Sequence, residues 1–302
     1  MNPTVTEALP ILCLVVVGFF LKKTDLLKKA DGSLLSRMIL NITLPSVIFL
    51  SISQAKIEPL ELLVLAASGL AIAVCLRMIG GRVASVLKLD DPTAGVFILG
   101  CMVMNIGTLM IPVVGTVFGP GAVSRTAAFD VGNSVMASGY GYYVATQYGS
   151  KNPQGLTSGI RRVLSVPVLW AIVLGLIINL AGLTIPGFFS KLLTPLSQAN
   201  APLAMLALGI FVSFKFSKWK LMSLAVFLRM GVGLLIGQLI ILLTQMQGLD
   251  RMVVTLASAM PIGMIPLAYA ATEGLDTEFA ASCISFSIIV GMITTPLLLT
   301  SL

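Results

Sequence analysis

The feature that most limits what this chain can fold into is a repeated one. Ten apolar stretches, each close to the length that crosses the roughly 30 Å hydrocarbon layer of a bilayer, follow one another from end to end. Polar breaks delimit them as 5–21, 34–53, 60–80, 93–118, 126–147, 164–181, 198–214, 221–245, 252–272 and 279–300. Backbone polar groups in lipid need partners inside the chain, so each stretch must be a helix or a broken helix. The longest connection, Tyr148 to Val163, is about 16 residues and leaves no room for a soluble domain. Composition agrees: 57% of residues are hydrophobic and 10% charged, against about 25% charged in soluble domains. The expectation is an all-α membrane protein of ten spans.

Charge sets its orientation. The loops after spans 1, 3, 5, 7 and 9, counted with their flanking turns, hold 15 Lys and Arg, Arg229 among them. The opposite side holds Lys56, Arg125, Lys191 and Arg251. The positive-inside rule then places the odd loops in the cytoplasm and both termini outside, in a plasma (inner) membrane. The same bias accounts for the net charge of +7 without a nucleic-acid partner. Met1 to Glu7 carry no basic residue ahead of the first apolar run, while Lys22 and Lys23 follow it. That order describes a first span and not a cleaved leader.

Several chemistries have no residues here. Histidine is absent, which removes the commonest general base and metal ligand. Cys13, Cys75, Cys101 and Cys283 lie inside apolar runs without CxxC spacing and read as small lipid- or core-facing residues. No Gly-x-x-x-x-Gly-Lys loop, HExxH or GxSxG occurs. The expectation is a non-enzyme with no cofactor and no metal.

Ten spans divide into halves, 1–150 and 151–302, and a weak repeat links them. Asn105-Ile-Gly-Thr-Leu-Met-Ile-Pro112 in span 4 parallels Pro261-Ile-Gly-Met-Ile-Pro266 in span 9, and Leu44-Pro45-Ser46 parallels Ala201-Pro202-Leu203. An odd number of spans per half makes the second half inverted, an architecture that recurs in transporters. Proline in a span frees a carbonyl one turn back. Pro112, Pro261 and Pro266 are therefore either simple kinks or breaks whose half-helix ends meet at mid-membrane.

Six polar side chains bear on that choice. Asn105 lies deep in span 4; its amide suits a carboxylate or a partly dehydrated ion, or else a helix–helix bond. Asp130, with Asn133 on the same face, is either a costly functional carboxylate, a cap near the outer end of span 5, or a partner of Arg125. Asn41 and Asn179 read as helix–helix contacts, and Glu273 as the end of span 9. Gly115-x-x-x-Gly119 and Gly233-x-x-x-Gly237 read as packing motifs.

Taken together, the chain resembles the auxin efflux carrier family, which includes plant auxin exporters and bacterial malonate and malate permeases. The resemblance rests on Gly18-Phe-Phe-Leu-Lys22 before a Lys-rich loop, Leu34-Leu35-Ser36, Leu44-Pro45, Asn105 to Pro112 followed by Phe118-Gly119, Asp130 with Asn133, and Ala259-Met-Pro261. It implies a fold like that of the bile acid sodium symporters, with broken helices 4 and 9 crossing at the substrate site. It further implies a scaffold of spans 1, 2, 6 and 7, often dimeric, and an elevator domain of spans 3–5 and 8–10. The short loops resemble compact bacterial members, and the Gly-Gly-x-x-Ser-Asn segment of sodium–bile acid symporters is missing.

The function that follows is secondary transport of a small organic anion, a mono- or dicarboxylate such as malonate, malate or an auxin-like acid. A sodium-coupled symporter-like carrier and a narrow channel are the rivals, and proton or sodium coupling stays open. Substrate contacts are expected at Asn105, Gly107, Thr108, Pro112, Asp130, Asn133, Pro261, Gly263 and Pro266.

Overall fold

Helices account for almost the whole computed structural model, which describes residues 3–55, 58–149, 156–214 and 216–300; no strand is present among them. Lys56, Lys151 and Lys215, part of the charge count above, lie outside these residues. In chain order the helices are α1 (Pro3–Lys23), α2 (29–53), α3 (Pro59–Val86), α4 (Asp91–Met102) and α5 (Ile106–Phe118). There follow α6 (120–148), α7 (Leu156–Leu164), α8 (Pro167–Leu180) and α9 (Gly187–Phe211). The last four are α10 (Trp219–Thr244), α11 (Gly248–Ser258), α12 (Ile265–Glu273) and α13 (Thr277–Thr300).

Each of the ten apolar segments is helical over most of its described residues. Four stretches, Ala30–Ser53, Leu60–Val86, Trp219–Thr244 and Thr277–Thr300, are long and apolar enough to cross a membrane; Asp91–Met102, Ile106–Phe118 and Pro167–Leu180 are shorter apolar helices. Their outer faces are greasy. Leu235, Leu239 and Leu242 form an exposed stripe on α10, and Trp170, Val173, Leu174 and Ile177 another on α8. Such stripes are tolerated where the surroundings are lipid. Cys13 and Cys75 are exposed, and Cys101 and Cys283 are buried.

Local sequence sets the helix ends. Asp90 accepts a bond from the Thr93 N–H and caps α4, with Pro92 in its first turn. Gly119, at φ +72°, makes the turn into Pro120 at the start of α6. Gly119 is thus a turn residue, which corrects its reading as half of a packing pair. Span 6 also starts later than expected: Val166 is extended ahead of Pro167, so α8 begins there and α7 occupies part of the expected loop. Span 7 begins earlier, at Gly187, because Ser190, Lys191, Ser197 and Gln198 lower its hydropathy without interrupting the helix.

Close approach between helices uses glycine. A methyl group on Gly18 of α1 would strike the Leu206 carbonyl of α9, and one on Gly209 would strike the Val15 carbonyl. α1 packs on α9, and α2 on α8 and α9. α3 packs on α4 and α6, α4 also on α6 and α13, and α10 on α11 and α13. α5 and α6 touch both sets.

Ion clusters close the two ends of the second set. At one end Arg125 of α6 meets Asp250 of α11 at 2.6 Å and Glu61 of α3 at 3.4 Å. At the other, Lys218 ahead of α10 meets Asp276 ahead of α13 at 2.8 Å and Asp90 ahead of α4 at 3.9 Å.

Candidate functional site

Two broken helices meet in the core. Between α4 and α5 the backbone leaves the helical region, with Val103 at ψ 118° and Asn105 at ψ 66°. Between α11 and α12 it does so from Ala259 onward. The two interruptions run antiparallel and form a short ladder. The Asn105 N–H donates to the Pro261 carbonyl at 2.9 Å, the Gly263 N–H donates to the Val103 carbonyl at 3.0 Å, and Met104 faces Ile262 between them. The pairing answers the need that any unwound backbone has inside a membrane, a partner for each polar group. A methyl on Gly263 would lie 3.0 Å from the Met104 carbonyl oxygen, tight enough to press the two segments apart by a few tenths of an ångström.

Side chains of neighbouring helices satisfy the outer edges of the ladder. Asn133 of α6 accepts the Met104 N–H at 3.1 Å and donates to its carbonyl at 3.3 Å. Ser287 of α13 accepts the Ile262 N–H at 3.2 Å. Pro261 has no N–H to return to Asn105, and the free Asn105 carbonyl instead accepts the Met110 N–H at 3.3 Å, opening the π-turn Ile106–Met110.

The N-terminal ends of α5 and α12 face a cavity of about 350 Å³, within the range of small-molecule sites. First-turn N–H groups lack intrahelical acceptors and carry the positive end of the helix dipole, which favours an anion. Asn105 lines the cavity and is 3% exposed. Its Oδ1 accepts the Thr108 hydroxyl, while its Nδ2 is buried without a partner. An unpaired buried donor costs about 1–3 kcal/mol.

Asp130 is on the same wall. It is the eleventh residue of α6 and 7% exposed, too deep to cap the helix. Nor does it pair with Arg125, which is engaged by Asp250 and Glu61 at the helix start. Both alternatives read from sequence are thereby replaced. Its Oδ1 accepts the Asn133 amide at 2.7 Å and its Oδ2 the Ser134 hydroxyl at 3.4 Å. Among the described residues no basic side chain lies within ion-pair distance of it, and the cavity wall holds neither Lys nor Arg.

Of the nine residues expected at the site, Asn105, Gly107, Thr108, Asp130, Asn133 and Gly263 line the cavity. The three prolines do not. Pro261 lies in the ladder with its ring against Gly291. Pro266 is in the first turn of α12. Pro112 lies within continuous helix, seven residues past the break, and borders a separate pocket with Ser51 and Asn200. Pro112 therefore does not break span 4. Its missing N–H accompanies the π-turn ahead of it, as Pro45 accompanies the one at Ile39–Thr43.

The other asparagines divide. The Asn41 amide bonds back to the Arg37 carbonyl and borders the cavity. Asn179 donates to the Ile52, Ser53 and Ala55 carbonyls, capping the end of α2. Sequence reasoning passed over Ser287 and Ser134, and it misread one residue outright. Arg229, counted as a cytoplasmic charge, is fully buried in the π-turn Phe227–Val232 of α10. Its guanidinium donates to the Ser258 carbonyl at 2.6 Å, the Met260 carbonyl at 3.2 Å and the Cys101 carbonyl at 3.5 Å. The signal was available: an arginine eight residues into an apolar run is not a loop charge. The inside bias without it is 14 against 4.

Two broken helices whose ends frame a small cavity, in a bundle of apolar helices, are an arrangement that recurs in integral membrane transporters. The chain belongs to the membrane transport protein family, the auxin efflux carriers, whose model matches residues 3–158 and 154–299. It is 30% identical over 295 residues to an uncharacterized transporter of Methanothermobacter thermautotrophicus, covering 96% of this chain and 95% of that one. An uncharacterized transporter of Methanocaldococcus jannaschii is 29% identical, covering 93% and 94%. The uncharacterized transporter YfdV of Escherichia coli K12 is 22% identical, covering 96% and 95%.

Proposed function

We propose that this protein is a secondary carrier of a small organic anion, a mono- or dicarboxylate, working by elevator-type alternating access, and not an enzyme. The observation that carries the reading is the buried, unpartnered Asn105 amide beside two helix N-termini that share one cavity. A carboxylate would complete that donor set.

Helix packing supports a division of labour. α1, α2, α8 and α9, spans 1, 2, 6 and 7, would be the scaffold, with the remaining spans moving against it. The end clusters support an inverted repeat. Glu61, Arg125 and Asp250 stand at the starts of spans 3, 5 and 9; Lys218, Asp276 and Asp90 stand at the starts of spans 8, 10 and 4. Exchanging the halves exchanges one cluster for the other. Asn133 on Met104 and Ser287 on Ile262 correspond in the same way.

Orientation by charge puts both termini outside, with a reporter at Asn152 in the cytoplasm and one at Leu302 outside; both positions lie beyond the described residues. On that orientation Ser36, Asn41 and Ser165, lining residues near the cytoplasmic starts of spans 2 and 6, support a cavity mouth toward the cytoplasm, an inward-facing state.

The test is a thermal-shift screen of malonate, malate and aromatic monocarboxylates on purified protein, followed by uptake of any hit into proteoliposomes. Binding to the native state raises stability by mass action. Saturable uptake of a stabilising acid is expected. Flux that never saturates would favour a narrow channel instead.

A further inference from the structure

Arg229 does something that an ordinary membrane arginine does not. It is 0% exposed, its charge has no carboxylate partner among the described residues, and its three bonds all end on main-chain carbonyls. Those carbonyls belong to both interrupted helices: Cys101 near the end of α4, and Ser258 and Met260 at the end of α11. A helix C-terminus presents unpaired carbonyls and the negative end of its dipole. One guanidinium therefore neutralises two helix ends, and its planar fork fixes their relative position as an ammonium could not.

The surroundings are built to admit it. A methyl group at Gly233, one turn further along α10, would lie 2.6 Å from the Ser258 carbonyl oxygen and 2.8 Å from an Arg229 terminal nitrogen. One at Gly237 would collide with the Ser258 side chain. The two glycines bring α10 against the end of α11 so that the arginine can reach across it. Arg229 sits in a π-turn, a local widening found at functional positions.

We propose that Arg229 is a positioning residue: a pin that joins the two broken helices into one rigid crossover, so that their ends reach the substrate together. The part of this concerning transport rests on the carrier reading above; the part concerning rigidity does not.

The experiment separates the two. Met104→Cys and Ile262→Cys are introduced into a chain whose four native cysteines are replaced by serine. The paired positions face each other across an antiparallel ladder, with Cα atoms about 4.5–5.5 Å apart, inside disulfide reach. Mild oxidation should cross-link the pair readily with Arg229 present and about tenfold more slowly in Arg229→Met, as for loss of a charge-assisted bond. Arg229→Lys should be intermediate, keeping the charge but not the fork. Gly233→Ala, which presses on the fork, should also slow the reaction, and it decides the matter together with Arg229→Lys if Arg229→Met does not yield monodisperse protein.

Cross-linking that is unchanged in the folded variants overturns the pin. In single variants without the added cysteines, uptake of the acid found by thermal shift should show a raised half-saturation concentration for Arg229→Lys, by about tenfold, whereas Asn179→Ala, which lowers stability away from the crossover, should leave it unchanged. If cross-linking slows but no acid binds, the pin stands and the carrier reading fails. If cross-linking slows while the half-saturation concentration stays put, the ends are pinned but do not reach the substrate together, and the proposal fails in that part.

Discussion

Asn133 grips Met104 from both sides of its peptide, accepting the N–H at 3.1 Å and donating to the carbonyl at 3.3 Å. The same amide nitrogen reaches the Asp130 carboxylate at 2.7 Å. A single side chain thus satisfies the unwound backbone and orients the one carboxylate on the cavity wall. Across the ladder Ser287 does the simpler half of that work for Ile262.

Removing either support should loosen the crossover. Asn133→Ala and Ser287→Ala are each expected to lower stability by about 0.6–2 kcal/mol, the range for hydrogen bonds inside membrane bundles. Because both act on one ladder, their effects should not add. Melting temperatures of the two single variants and the double variant in detergent measure this, and simple additivity would mean that the two edges are held independently.

Asn105→Ala should weaken binding of a carboxylate by about ten- to a hundredfold while leaving the melting temperature close to that of the parent. Relief of the unpaired Nδ2 offsets the loss of the Thr108 bond to Oδ1. Pro112→Ala should have the smaller effect, since the break lies at 103–105 and would survive it. Asn179→Ala should do the opposite, lowering the melting temperature by uncapping α2 without changing affinity. Binding curves alongside melting curves distinguish the three.

Asp130→Asn is expected to flatten the dependence of uptake on pH or on a driving cation while expression stays normal. A carboxylate buried at depth without a basic partner is retained in membranes chiefly where it does work. Uptake measured across pH, with and without sodium, tests it. Identical profiles in both proteins would leave Asp130 with only its structural bond to Asn133.

At the Lys218 end, burial tends to raise the Asp276 carboxyl, but bonds from Lys218 and the Phe279 N–H outweigh it and hold the group below its ordinary value of 3.8. The sign follows: a depressed carboxyl contributes stability in full above that ordinary value and loses it as pH falls through the folded one. Lys218→Met should therefore lower the melting temperature at neutral pH and shift the onset of acid unfolding upward. An acid limb unchanged in the variant would show that the pair contributes nothing.

The apolar runs, the two interrupted spans and six of the cavity residues were legible because each leaves a mark in composition: length, glycine beside proline, or a polar group where lipid forbids one. The location of the break in span 4 was not. Pro112 is the conspicuous breaker, yet the helix opens at Val103, where the facing segment Pro261–Gly263 and Asn133 supply what the helix gives up. That choice depends on contacts far along the chain. Arg229 was visible but was read as a surface charge, because a positive-inside count assigns arginines by sign and not by depth. Span 7 was shortened because its polar turn resembles a loop until its neighbours are known.

Arg229 and Asp130 are groups of opposite sign when ionised and lie within the same set of helices. On the elevator reading proposed above, with both groups ionised and no coupling ion bound, a crossover that crossed the membrane empty would move no net charge on their account, whereas one carrying a monoanion would move one. The membrane potential acts with about 2.3 kcal/mol per elementary charge per 100 mV. A voltage would then push on the loaded stroke and leave the return stroke to relax by itself, which a planar bilayer would register as current in one half of the cycle and silence in the other.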